Sequence, residues 1–395
     1  MSHDTEVFVD LYLLSRLSVY FMTQPRADAL NALVARARRE VESGLLPSCQ
    51  LAIGFGGKVV LFETLGRATP RSRYGTFSCT KVVVASAIWR LLGRGELALE
   101  ARVADYIPEI ARHGKDAITV EQLLTYRAGI PRAMLSRAAW NDRARRLEEM
   151  AEWRLEWAPG TRYEYHYTSA HWLLGELLER VGRADFRAVV QREVCAPLGM
   201  TRSQLGVAAG QQHDVEKIVL AGEPATPAEL LATWGVPELF AGEVNDTALE
   251  AFNDDVDAIA AGVPGGGLVS TAHDLALFYQ ALLHNPGGHW DATWLVEGTQ
   301  HVRVRDPDVL MAGRPANRTL GCIVAGDDGC SHNRGFGRTV GPRAFGHGGV
   351  AGQIAWADPD SGLSFAYLTN GRDRHLIREA RRGVALSSLA AVCVG

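Results

Sequence analysis

Lysine is nearly missing from this chain of 395 residues: there are only four, Lys58, Lys81, Lys115 and Lys217, and all the other basic residues are arginine. Cysteine is sparse too. Cys49, Cys79, Cys195, Cys322, Cys330 and Cys393 are scattered, with no Cys-x-x-Cys pair. That spacing offers no zinc site, and a disulfide framework is not expected in so large a chain. Free thiols in a reducing compartment follow as the expectation. The formal net charge of −4 gives no electrostatic reason for a nucleic acid or an anionic membrane as partner. No apolar run is long and uncharged enough to span a bilayer. The nearest, Val7–Met22, is interrupted by Asp10 and Arg16 and lacks the basic start and small-residue cleavage site of a signal peptide. It reads as an amphipathic segment packed on the body, or as an extension upstream of a start at Met22. In either case a cytoplasmic protein is expected.

Several hydrolase signatures are also lacking. There is no His-Glu-x-x-His and no Gly-x-Ser-x-Gly, and Gly265-Gly266-Gly267 is not followed by the Gly-Lys-Ser/Thr of a phosphate loop. His166 and His171 stand five positions apart, the wrong spacing for two ligands on one helix face. No metal and no cofactor are therefore expected.

What is present describes a globular protein, 47% hydrophobic and 22% charged, with ample length for a large core. Asp28–Ser43 carries a helical stripe closed by Gly44. Cys49–Phe55 and Lys58–Leu65 flank Gly56-Gly57, the signature of a β-hairpin. Thr119-x-x-Gln122 is a capping box for a short helix, Pro159-Gly160 marks a turn, and Trp172–Val181 and Thr271–Leu283 read as helices. Gln353–Ala357 and Leu363–Leu368 form a second hairpin around Asp358–Gly362, and His375–Ala391 is a closing helix. Strands at both ends with helices between predict an α+β fold whose antiparallel sheet is built from the two chain ends. The expected division is a sheet domain of residues 1–85 and 300–395, and a mainly helical part of residues 86–299. Within the latter, the acidic, Pro- and Ala-rich stretch 211–263 reads as a lid or as a plain surface insertion.

The stretch around which the rest is organised is Thr76-Phe77-Ser78-Cys79-Thr80-Lys81, running into Val82–Leu92. The latter is apolar almost all round, as in a helix buried between layers, and Gly93 and Gly95 follow as stop signals. Ser78 falls near the helix start, where backbone N–H groups and the positive dipole end face its oxygen. Lys81 stands one turn on, on the same face. Burial would disfavour its charge and make it a general base. A surface N-cap serine followed by an unrelated lysine is the plainer alternative. Two further stretches bear on it: Pro159-Gly160-Thr161-Arg162-Tyr163-Glu164-Tyr165, with a tyrosine just after a turn, and Phe345-Gly346-His347-Gly348-Gly349-Val350 before a strand.

With these motifs in this order, and with Ile118–Thr125, Ala196–Thr201 and Gly266–Leu275 between them, the chain resembles the penicillin-recognising serine hydrolases from about the first hairpin to Asn370. Within these it is nearest to the class C β-lactamase-like esterases. The resemblance implies Ser78 as acylating nucleophile, Lys81 as its proton acceptor, and Tyr165 as the tyrosine that orients the lysine and relays the proton. It also implies the backbone N–H groups of Ser78 and Val350 as an oxyanion hole. His347, Gly348, Gly349, Tyr167 and Ser169 fall at substrate-binding positions. Two departures stand out. Tyr165-His166-Tyr167 lacks the motif asparagine, with Ser169 as a candidate replacement, and His347 stands where β-lactamases usually keep a lysine. A histidine of ordinary pKa is mostly neutral at pH 7 and holds a carboxylate less firmly. Both departures favour a small neutral ester over a β-lactam. The expected activity is hydrolysis of small carboxylic esters through an acyl-enzyme. The alternatives are an acyltransferase, a weak β-lactamase or DD-peptidase of the same fold, and a catalytically silent binding protein. Trp140, Trp153, Trp157 and Trp234 are candidates for an acyl pocket or for core.

Overall fold

The computed structural model describes residues 24–238 and 255–394, together with 246, 247, 249 and 253. The Val7–Met22 segment and part of the 211–263 stretch lie outside the described residues.

The elements that position the site follow in chain order. Helix α1 (Ala27–Glu42) leads to strands β1 (Ser48–Phe55) and β2 (Lys58–Gly66), joined through Gly56 and Gly57, both at positive φ. Helix α2 (Thr80–Gly93) follows, then α3 (Ser169–Gly182) and α4 (Ala272–His284). The chain closes with strands β3 (Ile323–Val324), β4 (Phe345–Gly349), β5 (Gln353–Asp358) and β6 (Leu363–Thr369), and helix α5 (Leu376–Ala391). The six strands form one sheet in the order β2-β1-β6-β5-β4-β3, antiparallel throughout. This is the α+β fold expected, with both chain ends in one sheet.

The two faces of the sheet differ in side-chain size, and this decides what each can hold. One cross-strand row aligns Ile53, Phe365 and Trp356, and the neighbouring row aligns Ala52, Ala366 and Ala355. Strand alternation sends these rows to opposite faces. The large row packs with Leu33 and Ala37 of α1 and Leu386 and Ala390 of α5. The alanine row joins the larger core, with Val83, Ile88 and Trp89 of α2 and Phe278 and Tyr279 of α4. Small side chains let α4 sit close. A Cβ on Gly54 would lie 2.3 Å from Ser364 Oγ and 2.6 Å from Gln280 Cγ, and Ser364 Oγ donates to Ala276 O at 2.8 Å. Helix α4, counted with the helical part in the sequence reading, thus lies on the sheet.

Helix α2 is buried along its whole length apart from Arg90 and Gly93, as its all-round apolar sequence requires. Gly93 is its last residue rather than its stop signal, and the positive φ falls on Gly95. The capping box at Thr119 and Gln122 forms as expected. Helix α3 starts at Ser169, three residues before the apolar stripe begins, because hydrophobic periodicity marks a buried face and not a backbone start. Within the 211–263 stretch, Val219–Ala221 pairs in parallel with Gly371–Asp373, and Pro227–Trp234 and Val256–Ala261 are helical. Among the described residues, no helix is long and apolar enough to cross a membrane.

Candidate active site

Ser78 sits in a single helical turn, Phe77–Cys79, immediately before α2. That turn is clamped to one residue of a neighbouring strand. Thr76 N and Oγ1 donate to Leu268 O at 2.9 and 3.0 Å, and Thr80 Oγ1 accepts from Leu268 N at 3.1 Å. Between them Phe77 is held at φ +46°. A left-handed non-glycine residue costs about 1–2 kcal/mol and persists only where its surroundings over-determine it. The clamp supplies that constraint, so Ser78 is presented on a rigid elbow. Strand β4 runs beside the elbow: Cys79 Sγ donates to His347 O at 3.1 Å, and a Cβ on Gly349 would lie 2.5 Å from Thr76 O. Only a glycine allows that approach of β4 to the Ser78 turn.

Two side chains converge on Ser78 Oγ. Tyr165 Oη donates to it at 3.1 Å, and Lys81 Nζ lies 3.4 Å away. Lys81 is 1% exposed, and its remaining N–H groups go to Tyr167 O at 2.8 Å and Gly265 O at 2.6 Å. Burial, reinforced by the charge of Arg318, pushes its pKa down to about 7. Burial pushes the Tyr165 phenol the other way, well above 10. Near neutral pH, therefore, a substantial share of Lys81 is free amine while Tyr165 keeps its proton. Of the two, the lysine is able to take the serine proton and the tyrosine is able only to give one.

His347 is 6% exposed, and both its ring nitrogens are engaged. Nδ1 faces Gly348 O at 2.6 Å and must donate. Nε2 faces Arg318 Nη1 at 3.3 Å and must accept, because a guanidinium has no lone pair to offer. Burial first, then Arg318 and Lys81, hold its pKa well below 6.5. The expected substrate-binding histidine is thus neutral and has no N–H left to offer a ligand. The expectation of an ordinary pKa is corrected, and the cause is the buried Arg318 beside it.

Arg318 is what sequence reasoning missed. It is 2% exposed, its Nε donates to Tyr163 Oη at 2.7 Å, and Asp308 Oδ2 accepts from the same Oη at 2.5 Å. Its guanidinium carbon lies 4.8 Å from the Tyr165 ring centre and 4.9 Å from that of Tyr126. One arginine among so many carries no local signal. Gly265, whose carbonyl holds Lys81, was visible only as part of a glycine run.

The other candidates divide. Tyr167 lines up with the site through its carbonyl, and its ring meets Tyr165 edge-on at 5.4 Å. Gly348 gives its carbonyl to His347. Ser169 is not brought to Ser78. It is fully buried, and its Oγ donates to Ile130 O at 2.6 Å. His166 accepts from Ile130 N at 3.1 Å, so both residues brace one loop. Trp140, half-buried, packs against Trp172 and the core cluster, and Trp153 is buried within that cluster with its indole N–H on Met134 O. Behind Phe77 lies a cavity of about 270 Å³ whose walls include Phe77, Val215, Ile218, Val256, Ile259 and Leu268. Asn253 pins its rim through two 2.7 Å bonds to the backbone of Ile218. Among the described residues no group of His, Cys, Asp or Glu is arranged to hold a metal ion.

This geometry can be set beside known proteins. The chain is 30% identical over 312 residues to the protein named Esterase/beta-lactamase LipL of Mycobacterium tuberculosis, covering 74% of this chain and 68% of that one. A penicillin-binding protein homologue from Caulobacter crescentus superposes with a TM-score of 0.73 at 26% identity, over 94% of this chain and 99% of that one. A family VIII carboxylesterase does so with a TM-score of 0.74 at 25% identity, over 92% and 98%. The Beta-lactamase family profile matches residues 33–389, so the chain belongs to the Beta-lactamase family.

Proposed function

We propose that the protein is a serine hydrolase that cleaves small carboxylic esters through an acyl-enzyme on Ser78. The observation that carries this reading is the convergence of Lys81 Nζ and Tyr165 Oη on one hydroxyl oxygen, at 3.4 and 3.1 Å. With two N–H groups directed at Tyr167 O and Gly265 O, the lone pair of the free amine points at Ser78. The amine takes the hydroxyl proton as Oγ attacks the ester carbonyl. The oxyanion is received by the N–H groups of Ser78 and Val350, each donor contributing about 3 kcal/mol in such sites. Tyr165 gives its proton to the leaving alkoxide and regains one from the Lys81 ammonium. Water then repeats the sequence on the acyl-serine and releases the acid. The cavity behind Phe77 takes the acyl chain, which makes the 211–263 stretch a specificity element. The six unpaired cysteines suit the reducing cytoplasm expected from the sequence.

Esters are favoured over β-lactams because the β-lactam carboxylate needs a cationic anchor. His347 is neutral and fully engaged, and Arg318 is covered. Losing one charged contact costs roughly 1.5–3 kcal/mol, about a tenfold to hundredfold effect, which a neutral ester does not suffer. LipL carries both activities in its name, so the ratio is worth measuring. We expect kcat/KM for p-nitrophenyl acetate to exceed that for nitrocefin by at least tenfold. Equal values would overturn the ester preference. Intact-protein mass spectrometry after p-nitrophenyl acetate should show one added acetyl group, lost in Ser78→Ala. An acetylated Ser78→Ala protein would overturn the nucleophile.

A further inference from the structure

What keeps Lys81, an amine with two carbonyl acceptors, from simply holding its proton? Carbonyl oxygens favour the ammonium. Burial opposes it. The surroundings contain one more group acting in the same direction as burial. The Tyr165 ring has Lys81 Nζ 5.3 Å and Arg318 Cζ 4.8 Å from its centre, so two cationic side chains share one aromatic ring. Arg318 cannot relieve the repulsion by losing its proton, and it cannot swing away. Its backbone is bonded on both sides to Val304, at 3.0 and 3.1 Å. Its side chain is tied to Tyr163 Oη and, at 3.7 Å, to Asp308.

The other titratable groups around Lys81 carry no charge near neutral pH. On its own helix turn, burial pushes the Cys79 thiol up to about 12. From the segment before α3, Tyr165 stays a phenol, and Tyr167 is likewise raised above its ordinary value by burial. From α3, His171 is buried and held neutral, and from β4 so is His347. Tyr126, whose ring centre lies 5.0 Å from that of Tyr165, is raised by burial as well. Among the described residues, Arg318 and its counter-ion Asp308 are thus the formal charges facing this site from the packed elements.

We propose that Arg318 is a positioning residue of the acylation site: its permanent charge, fixed behind Tyr165 by Tyr163 and Asp308, works against a proton on Lys81 and so keeps that amine ready for Ser78. The same guanidinium takes up the Nε2 lone pair of His347, which fixes that ring's tautomer. The inference rests on Lys81 being the base. It makes a prediction of sign that a purely structural arginine does not. Removing Arg318 lets Lys81 hold its proton to higher pH. Removing only the counter-ion leaves Arg318 less compensated and has the opposite effect.

The test is the pH profile of kcat/KM for p-nitrophenyl acetate on the full chain, whose acid limb reports the free-enzyme base. Arg318→Met should move that limb up by about one pH unit. The rate at pH 6 then falls about tenfold while the plateau near pH 9 stays within a few-fold. Arg318→Lys should restore the wild-type limb. Asp308→Asn should move the limb down, and it serves alone if Arg318→Met fails to fold. Limbs unmoved in both Arg318→Met and Asp308→Asn, or moved in the same direction, overturn the proposal. A wild-type profile with no acid limb between pH 6 and 8, or acetylation on a residue other than Ser78, would instead overturn the Lys81 reading beneath it.

Discussion

Two of the four lysines are buried, and comparing them shows what makes one a base. Lys81 is 1% exposed and Lys115 is 0% exposed. Burial pushes both down, to about 7 and about 8. Depressed affinity for the proton therefore does not distinguish them. Their partners do. Lys115 Nζ donates to three carbonyls: Arg112 O at 3.0 Å, Ala151 O at 2.9 Å, and Trp153 O. An ammonium fills all three; a free amine would aim its lone pair at a carbonyl oxygen. Lys81 has two carbonyls and one hydroxyl. There the third direction meets a group that can itself donate, so both protonation states are satisfied. Lys115 is a brace between the 112–117 turn and the 151–153 segment, while Lys81 is a proton exchanger. The difference lies in one oxygen.

The largest way to break the comparison is to remove each amine. Lys81→Met should lower kcat/KM for p-nitrophenyl acetate by about 10³-fold, within the range for loss of a general base, with the fold intact because methionine nearly fills the space. Lys115→Met should leave kcat/KM within about threefold and instead destabilise the protein by about 3 kcal/mol, since three buried carbonyls lose their donor. Urea unfolding and ester kinetics on both variants read the crossing. If Lys115→Met lost activity at full stability, or Lys81→Met kept its activity, the division of roles would fail.

The sequence separated these two lysines, but for a reason that covers only half the difference. Lys81 follows a serine by three and lies in an apolar helix, so local periodicity brought both groups to one face. Four strands of the sheet were legible because Gly56-Gly57 and the turn at Asp358–Gly362 set register through local chemistry. Strands β3 and β4, with no such hairpin between them, were not, and the His347 stretch expected before a strand is itself β4. Lys115, by contrast, sits between His113-Gly114 and Asp116, a polar stretch with no local signal of burial. Its burial depends on the 151–153 segment, far along the chain, closing over it. Arg318 and Gly265 escaped notice for the same reason. The one meets Tyr163 and Asp308, and the other meets Lys81, only after distant segments pack. Ser169 was misplaced because the missing asparagine was sought nearby in sequence, whereas its hydroxyl braces the loop at Ile130. Contacts made within a turn or two are written in the local pattern, but those that need tertiary closure are not.

The smallest expected effect is also the one that isolates the proton. Lys81 has its pKa lowered from 10.5 to about 7 on folding, and Lys115 from 10.5 to about 8. Below pH 7, folded and unfolded chains bind the same proton at Lys81, and the full cost of burying the charge is present. Between 7 and 10.5 the unfolded chain holds more protons than the folded one, so wild-type stability rises with pH. Methionine has no such dependence. The melting temperature of Lys81→Met minus that of wild type should therefore be highest at pH 6 and fall as pH passes from 7 to 8. The fall corresponds to about 1 kcal/mol, or roughly one to three degrees. For Lys115→Met the corresponding difference should stay flat until about pH 8 and change only above it. Differential scanning calorimetry at pH 6, 7, 8 and 9 on wild type and both variants makes the comparison. A Lys81→Met difference that stays flat to pH 9 would mean that folded Lys81 keeps its proton, and the base would then have to be sought elsewhere around Ser78.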